Sequence, residues 1–168
     1  MSPDNRVLVV GTTPDYVDWI DRHCPGRGLF LTDPVSRQNA GEAVPDACSE
    51  LLVDLAGAEN VWRKLTEHLD RWTIRLAGIA CFDDESMALA AILADRLDLP
   101  YPSEQAISRC RDQFRCKQLW AAAGVPTARS SEVVSPEDAG LFLSESPGAC
   151  VLKPLTGAGS ELVFLCRS

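Results

Sequence analysis

Short apolar runs alternate with helical segments over the first hundred residues, and this alternation constrains the fold most strongly. Four short, mostly apolar runs are predicted to be strands: residues 6–10, 28–31, 51–55 and 76–82. The first of them is continuous and has the composition of a buried parallel strand. Between them, apolar residues recur at helical spacing, as at Val61, Leu65 and Leu69. Strands that alternate with helices pair in parallel. The sequence therefore predicts an α/β fold with a doubly wound, mainly parallel, Rossmann-like sheet.

Capping signals mark where individual helices begin. Thr13 followed by Pro14 predicts an N-cap and a first helical residue. The run Ser135-Pro136-Glu137 followed by an aspartate predicts a second helix start of the same kind. Residues 32–48 show no clear period, and we expect a long loop there with at most a turn of helix.

A proline-rich segment at residues 99–103 divides the chain. After it we expect a helix over 112–123 that stops at Gly124, an extended segment over 127–134, and a helix from Ser135 to about Leu143. The predicted parts are an α/β domain (1–101), linker helices (102–126) and a small α+β segment (127–168).

Composition excludes several classes of function. A chain of 168 residues has room for one good core and part of a second. Its net charge of −8 leaves no basic surface for nucleic acid. No stretch resembles a secretory signal or is long enough to span a membrane, so we expect a cytoplasmic protein with no membrane partner. Seven widely spaced cysteines without a C-x-x-C pair disfavour a disulfide framework and a metal site.

One segment near the end of the chain carries candidate chemistry. An apolar run at 149–152 leads into Lys153, a loop with two glycines follows, and a second apolar run covers 162–166. Glycines let backbone N–H groups converge on an anion, and the lysine adds positive charge beside them. A plain β-hairpin with a glycine-containing turn remains the alternative. The predicted phosphate-binding residues are Lys153, Gly157, Ala158, Gly159 and Ser160.

Several segments together resemble the N-terminal portion of an ATP-grasp protein. They are, in order, the stretch 110–117, the turn Ala123-Gly124-Val125-Pro126-Thr127, the helix at Ser135, and Val151-Leu152-Lys153-Pro154 with its glycine-rich loop. The resemblance identifies residues 1–101 as a pre-ATP-grasp domain and 127–168 as a partial, truncated small lobe of an ATP-grasp domain. Residues 102–126 correspond to its linker helices.

The resemblance also implies an activity. ATP-grasp enzymes use ATP to convert a carboxylate into an acyl phosphate, which an amine or another nucleophile then attacks. It implies that Lys153 binds the α- or β-phosphate and that Gly157 to Ser160 fold over the phosphates. The implied partners are a nucleotide and an unknown carboxylate.

The chain departs from the family pattern in two places. Gln113 stands where the family often has a phosphate-contacting lysine, and Lys117, on the same helix face, is the candidate substitute. The acidic magnesium ligands of the family belong to a later segment, so magnesium is expected only with that segment. We therefore expect the N-terminal fragment of a carboxylate–amine or carboxylate–thiol ligase. Alone, whether as a truncated version, the product of a broken gene or one piece of a split protein, it would bind nucleotide weakly and have no catalytic residues of its own.

Three other interpretations remain open. The turn at Gly11 lacks the further glycines of a dinucleotide fingerprint, so a tight strand-to-helix turn is favoured. The acids at 83–85 with Asp54 could form a magnesium pocket, but a helix cap from Asp83 or Asp84 is favoured, with a substrate-side role in the full enzyme as the main alternative. From a different class of function, the chain could be a non-catalytic binding or assembly module that self-associates through the strand edge at 162–166.

Overall fold

The structure is a computed structural model, and it describes residues 4–38, 40–157 and 159–167. The chain forms two compact units, Met1–Glu104 and Gln105–Ser168.

The first unit is built on a parallel sheet with alternating helices. Its four strands are hydrogen-bonded in the order β3-β2-β1-β4, and every neighbouring pair is parallel. The predicted α/β class with a mainly parallel sheet is therefore confirmed. The elements are β1 (Asp4–Val10), α1 (Pro14–His23), β2 (Gly28–Thr32), α2 (Pro34–Gln38), β3 (Glu50–Leu52), α3 (Ala58–Trp72), β4 (Ile74–Cys81) and α4 (Met87–Arg96).

Alternation along the central strands places apolar side chains in two separate clusters. Leu8 and Val10 of β1 pack with residues of α3 and α4 such as Leu65 and Leu93, all of them buried. Val9 points to the opposite face, because successive strand residues alternate. There it joins the smaller cluster with Val17 of α1 and Phe30 of β2. Helices therefore cover both faces of the sheet, which explains why its strands read as mostly apolar runs.

Helix ends in this unit follow local sequence signals to different degrees. Thr13 is the N-cap of α1 and Pro14 is its first residue, as predicted, although the Thr13 side chain makes no capping hydrogen bond. The predicted loop at 32–48 contains the short helix α2. Helix α3 ends at Thr73, whose φ of 53° is left-handed and whose N–H bonds back to the carbonyls of Leu69 and Asp70.

The second unit contains three helices and a two-stranded sheet within its described residues. They are α5 (Glu104–Arg111), α6 (Gln113–Ala122), α7 (Pro136–Ser144), β5 (Cys150–Leu152) and β6 (Phe164–Cys166), with β5 and β6 antiparallel. Helix α7 begins as predicted, since the Ser135 hydroxyl accepts a hydrogen bond from the Asp138 N–H at 3.1 Å. Residues 127–134 form no strand. None of the helices in the described ranges combines the length and apolar character that a membrane span requires.

Candidate phosphate-binding site

The candidate site lies at the closed end of the β5–β6 hairpin. The ladder pairs Leu152 with Phe164, and Lys153 follows directly where β5 ends. The polypeptide from Lys153 to Val163 therefore forms the loop that joins the two strands. This register fixes the base of the loop on both sides.

A pocket of about 340 Å³ opens beside this loop. The structure brings five of the predicted site residues to it: Gln113, Lys153, Gly157, Gly159 and Ser160. Predicted Ala158 lies outside the described residues. Lys117 lies one turn further along α6 and is not among the described lining residues. The other lining residues are Val151, Pro154, Glu161 and Val163.

Lys153 is exposed at the rim of the pocket. Within the ranges that the structure describes, no carboxylate lies within ion-pair distance of its ammonium group. An ammonium group without a protein counter-ion is available to a ligand anion, as the predicted role requires.

The loop backbone adopts left-handed conformations at three positions. Gly159 has a φ of 64°, Ser160 of 61° and Leu162 of 54°. Glycine adopts this region freely, but an L residue with a side chain does so at about 1–2 kcal/mol. The loop is therefore held in a shape that two of its own residues disfavour. Strain of this kind is often found where a protein clamps a ligand.

The start of α6 is tied to the same loop. The Gln113 N–H donates to the Leu155 carbonyl at 2.9 Å. The Asp112 side chain accepts hydrogen bonds from the next two N–H groups, those of Phe114 and Arg115. Three of the N–H groups that a helix start usually offers to an anion are therefore already bonded. Gln113 lines the pocket, and its side-chain amide carries no charge.

Glu161 is the charged residue among the described lining residues that sequence reasoning missed. Glu161 lines the same pocket as Lys153, so the formal charges of these two residues cancel. The signal was present in the sequence, because an acidic residue directly follows the predicted loop at Ser160. Like charge beside a phosphate weakens its binding.

The carboxyl edge of the sheet in the first unit is a separate polar region. Gly11 follows β1 with a φ of 57°, and a Cβ placed there would lie 2.0 Å from the Ser86 Oγ. Gly11 is thus required by the close approach of the turn after β4, which supports the tight-turn interpretation. The Asp83 side chain accepts hydrogen bonds from the Glu85 N–H at 2.9 Å and from the Ser86 hydroxyl at 2.6 Å.

Asp83 organises the turn before α4, and the expectation that it or Asp84 caps that helix is wrong, because the N-cap is Ser86. Partial burial by itself raises the pKa of Asp83. The hydrogen bonds from Glu85 and Ser86 together lower the pKa by more than burial raises it, so the pKa of Asp83 lies below the usual value of an aspartate. Asp54 bonds the Ala56 N–H at 2.9 Å. In the part of the chain that the structure describes, no group of three or more metal-ligating side chains comes together.

Comparison with known proteins identifies the fold of this chain. No family model matches the sequence. The chain is 29% identical over 92 residues to the uncharacterized protein y4rH of Sinorhizobium fredii, a match that covers 55% of this chain and 19% of that protein. The matched part of the chain therefore spans about a fifth of the length of that curated relative.

Solved structures match nearly the whole chain. An L-amino acid ligase from Bacillus licheniformis superposes with a TM-score of 0.70 at 16% identity, covering 99% of this chain and 40% of the ligase. The N5-carboxyaminoimidazole ribonucleotide synthetase from Thermus thermophilus gives 0.58 at 22% identity, covering 96% and 41%. A synthetase of the same name in an ADP complex gives 0.65 at 15% identity, covering 100% and 42%.

These solved structures are ATP-grasp ligases, and this chain has the fold of their N-terminal portion. The resemblance seen in the sequence is therefore confirmed at the level of the fold. The chain spans about two fifths of the length of the ligases it matches.

Proposed function

We propose that this chain supplies the N-terminal domain and the phosphate loop of an ATP-dependent carboxylate–amine or carboxylate–thiol ligase, and that alone it binds nucleotide weakly. One observation carries the proposal. Gln113, Lys153 and the two loop glycines meet at a single pocket, in a fold shared with ATP-grasp ligases. One of those ligases was solved as an ADP complex.

Four residues of the pocket have a defined task in this proposal. The Lys153 ammonium pairs with oxygens of the α- or β-phosphate, and the backbone of Gly157 and Gly159 lets the loop approach the phosphates closely. The Gln113 amide donates one neutral hydrogen bond. ATP, when bound, supplies the phosphoryl group that activates a carboxylate in ligases of this fold. The chain's own residues bind and orient the phosphates.

Charge explains why the binding is weak. A triphosphate carries several negative charges, whereas the pocket offers one lysine beside one glutamate. Gln113 adds no charge to offset this. We therefore expect a dissociation constant for ATP near 1 mM, which corresponds to about 4 kcal/mol. Since the resemblance assigns the magnesium ligands to a later segment, we expect no turnover from these 168 residues alone.

Calorimetric titration with ATP tests the proposal directly. Replacing Lys153 with alanine removes a charge-assisted contact of about 1.5–3 kcal/mol, which weakens binding roughly 10- to 100-fold. Lys64→Ala is the matched control, because Lys64 lies on α3 in the other unit and should leave the affinity unchanged. Lys117→Ala should change the affinity less than about twofold.

The opposite substitution should strengthen binding. Glu161→Gln removes the like charge from the pocket wall, and we expect about threefold tighter binding at low salt. Absence of measurable heat from the wild-type chain at several times the expected dissociation constant would refute nucleotide binding. Equal affinities for wild type and Lys153→Ala would refute the assigned site.

A specific observation also favours the second candidate, an assembly module. The hairpin strands are short, and Val151, Phe164 and Leu165 each remain more than half exposed, at 58%, 54% and 59%. Exposed apolar strand residues promote pairing with another strand. Light scattering after size-exclusion chromatography should then show a concentration-dependent dimer that Leu165→Lys abolishes. A monomer at every concentration would exclude this candidate.

A further inference from the structure

Two cysteines lie directly opposite each other across the β5–β6 hairpin. The register pairs Cys150 with Cys166, Val151 with Leu165 and Leu152 with Phe164. Opposed residues in an antiparallel pair have their Cα atoms about 4.5–5.5 Å apart and their side chains on one face. Disulfides bridge Cα atoms that are about 4.4–6.8 Å apart. The backbone therefore already has the separation that a disulfide needs.

Both sulfurs are available for reaction. Cys150 and Cys166 are free thiols, and each is partly exposed, so a small oxidant can reach them. Cys24 and Cys110 are more exposed, but neither lies on a strand opposite another cysteine. Cys24 and Cys110 therefore serve as internal controls, because they are exposed thiols that do not face another cysteine across a strand pair.

The cysteine pair and the phosphate pocket lie on opposite faces of the hairpin. Side chains alternate along β5, so Cys150 and Leu152 share one face while Val151 points to the other. Val151 lines the pocket, together with Lys153 and Val163. A bond between the two cysteines therefore leaves the pocket open.

We propose that Cys150 and Cys166 form a reversible cross-strand disulfide that ties together the open end of the hairpin bearing the phosphate loop. The oxidant is a low-molecular-weight disulfide of the glutathione type. One cysteine thiolate attacks it, forms a mixed disulfide and releases one small thiolate. The second cysteine thiolate attacks the protein-bound sulfur of that mixed disulfide and releases the other small thiolate.

The electrons and protons balance in this exchange. Two protein thiols lose two electrons in total and become one disulfide, and the small disulfide gains them and becomes two thiols. The protons lost by the cysteines are taken up by the departing thiolates. Excess reduced glutathione reverses both steps.

The bridge should order the hairpin. Isolated two-stranded hairpins are marginally stable, and these strands have three residues each. Closing the loop between Cys150 and Cys166 removes open conformations, so the phosphate loop opens less often in the oxidised protein. The disulfide and the ordering of the hairpin do not depend on nucleotide binding.

Peptide mapping of the whole 168-residue chain tests the bridge. The chain is incubated over a range of oxidised-to-reduced glutathione ratios, alkylated, unfolded and cleaved after glutamate. Cleavage after Glu145 and Glu161 places Cys150 in the peptide 146–161 and Cys166 in the peptide 162–168. We expect these two peptides as one cross-linked species that reduction separates. It should form at ratios where Cys24 and Cys110 are still unbridged.

Variants and a second readout complete the test. Cys166→Ser should trap glutathione on Cys150, and Cys110→Ser should leave the cross-link unchanged. Native-state cleavage at Glu161, which lies in the loop, should be roughly tenfold slower after oxidation. Separate glutathionylation of the two cysteines, or equal cross-linking to Cys24 or Cys110, would overturn the bridge. Unchanged cleavage at Glu161 in the cross-linked protein would overturn the ordering of the hairpin.

Discussion

Replacing Gly11 with alanine tests whether the turn after β1 determines the geometry of the carboxyl edge of the sheet. Gly11 is buried and its N–H donates to the Leu31 carbonyl at 3.1 Å. The new Cβ would lie 2.0 Å from the Ser86 Oγ, 2.4 Å from the Ser86 Cβ and 2.7 Å from the Asp83 Oδ2. Each of these distances is shorter than a van der Waals contact, so the turn before α4 must move.

Two costs add up in this variant. The left-handed φ costs an alanine about 1–2 kcal/mol, and forcing a methyl group into an occupied site costs about 1–3 kcal/mol more. The expected loss is therefore about 2–5 kcal/mol, against a total of about 5–15 kcal/mol for a domain. With a urea dependence of about 1–3 kcal/mol/M, the unfolding midpoint should fall by roughly 0.7–5 M.

Urea unfolding followed by tryptophan fluorescence measures the effect in a Trp120→Phe background, where the remaining tryptophans all lie in the first unit. Gly78→Ala is the matched control, since a Cβ at Gly78 meets nothing within 4 Å. Adding Ser86→Gly to the Gly11 variant removes the two closest clashing atoms, leaves the Asp83 carboxylate in place, and should restore part of the steric loss. The reasoning is refuted if the Gly11 variant loses less than about 1 kcal/mol relative to the control.

Three other substitutions test single interactions in the first unit. Thr73→Gly should raise the free energy of unfolding by about 1 kcal/mol, because glycine relieves the left-handed φ at the end of α3, whereas Thr73→Ala should gain much less. Burial lowers the pKa of His68, so the unfolded chain binds the proton more readily. Stability should therefore fall as the pH drops below about 6.5 towards the lowered pKa, and His68→Gln should flatten this dependence in denaturation curves. Arg37→Met should cost about 3–5 kcal/mol by leaving the buried Glu50 carboxylate without its partner at 2.5 Å, whereas Arg37→Met with Glu50→Leu should unfold close to wild type.

The sequence predicted the sheet because burial on both faces leaves a direct mark on composition. Short, mostly apolar runs identified all four parallel strands to within a few residues. Strand β3 is the least accurate, since it covers Glu50–Leu52 and Val53 already lies beyond it, although Val53 is fully buried and its N–H bonds to the Thr32 carbonyl at 3.1 Å. Burial and strand pairing are separate properties, and an apolar pattern reports only the first.

Short helices were harder to predict. Helix α2 has five residues and contains the buried Arg37, whose guanidinium bonds to Glu50 on β3. Its position depends on a contact between residues distant in sequence, which no local pattern records. Helices of this length gain little from their own propensity, so tertiary contacts decide whether they form.

The part of the candidate site that could be predicted from the sequence consists of residues whose type alone suggests phosphate binding. A lysine at a strand end and glycines in the next loop indicated the pocket, and the structure brings them together. Lys117 was predicted from helical spacing, and it does lie on α6 with Gln113. The helix is tied to the loop at its first residue, and a rise of about 1.5 Å per residue carries Lys117 about 6 Å further along the axis. The four-residue spacing predicts that Gln113 and Lys117 lie on the same face of α6. The hydrogen bond from the Gln113 N–H to the Leu155 carbonyl shows that the N-terminal end of α6 contacts the loop.

The register of the β5–β6 ladder decides both the pocket and the cysteine pair. Cys150 and Cys166 are equidistant from the middle of the glycine-containing loop, so pairing without a bulge must bring them opposite each other. Their wide spacing in the sequence concealed this relation, because the position of the turn was unknown. The same register sets Lys153 and Val163 on the pocket side. A shift of the β5–β6 pairing by one residue would move each side chain of the shifted strand to the opposite face of the hairpin. A shift of β5 would then place Cys150 on the face that carries the proposed phosphate pocket. A disulfide at this position would therefore stabilise the register in which the lysine and the loop glycines line one pocket.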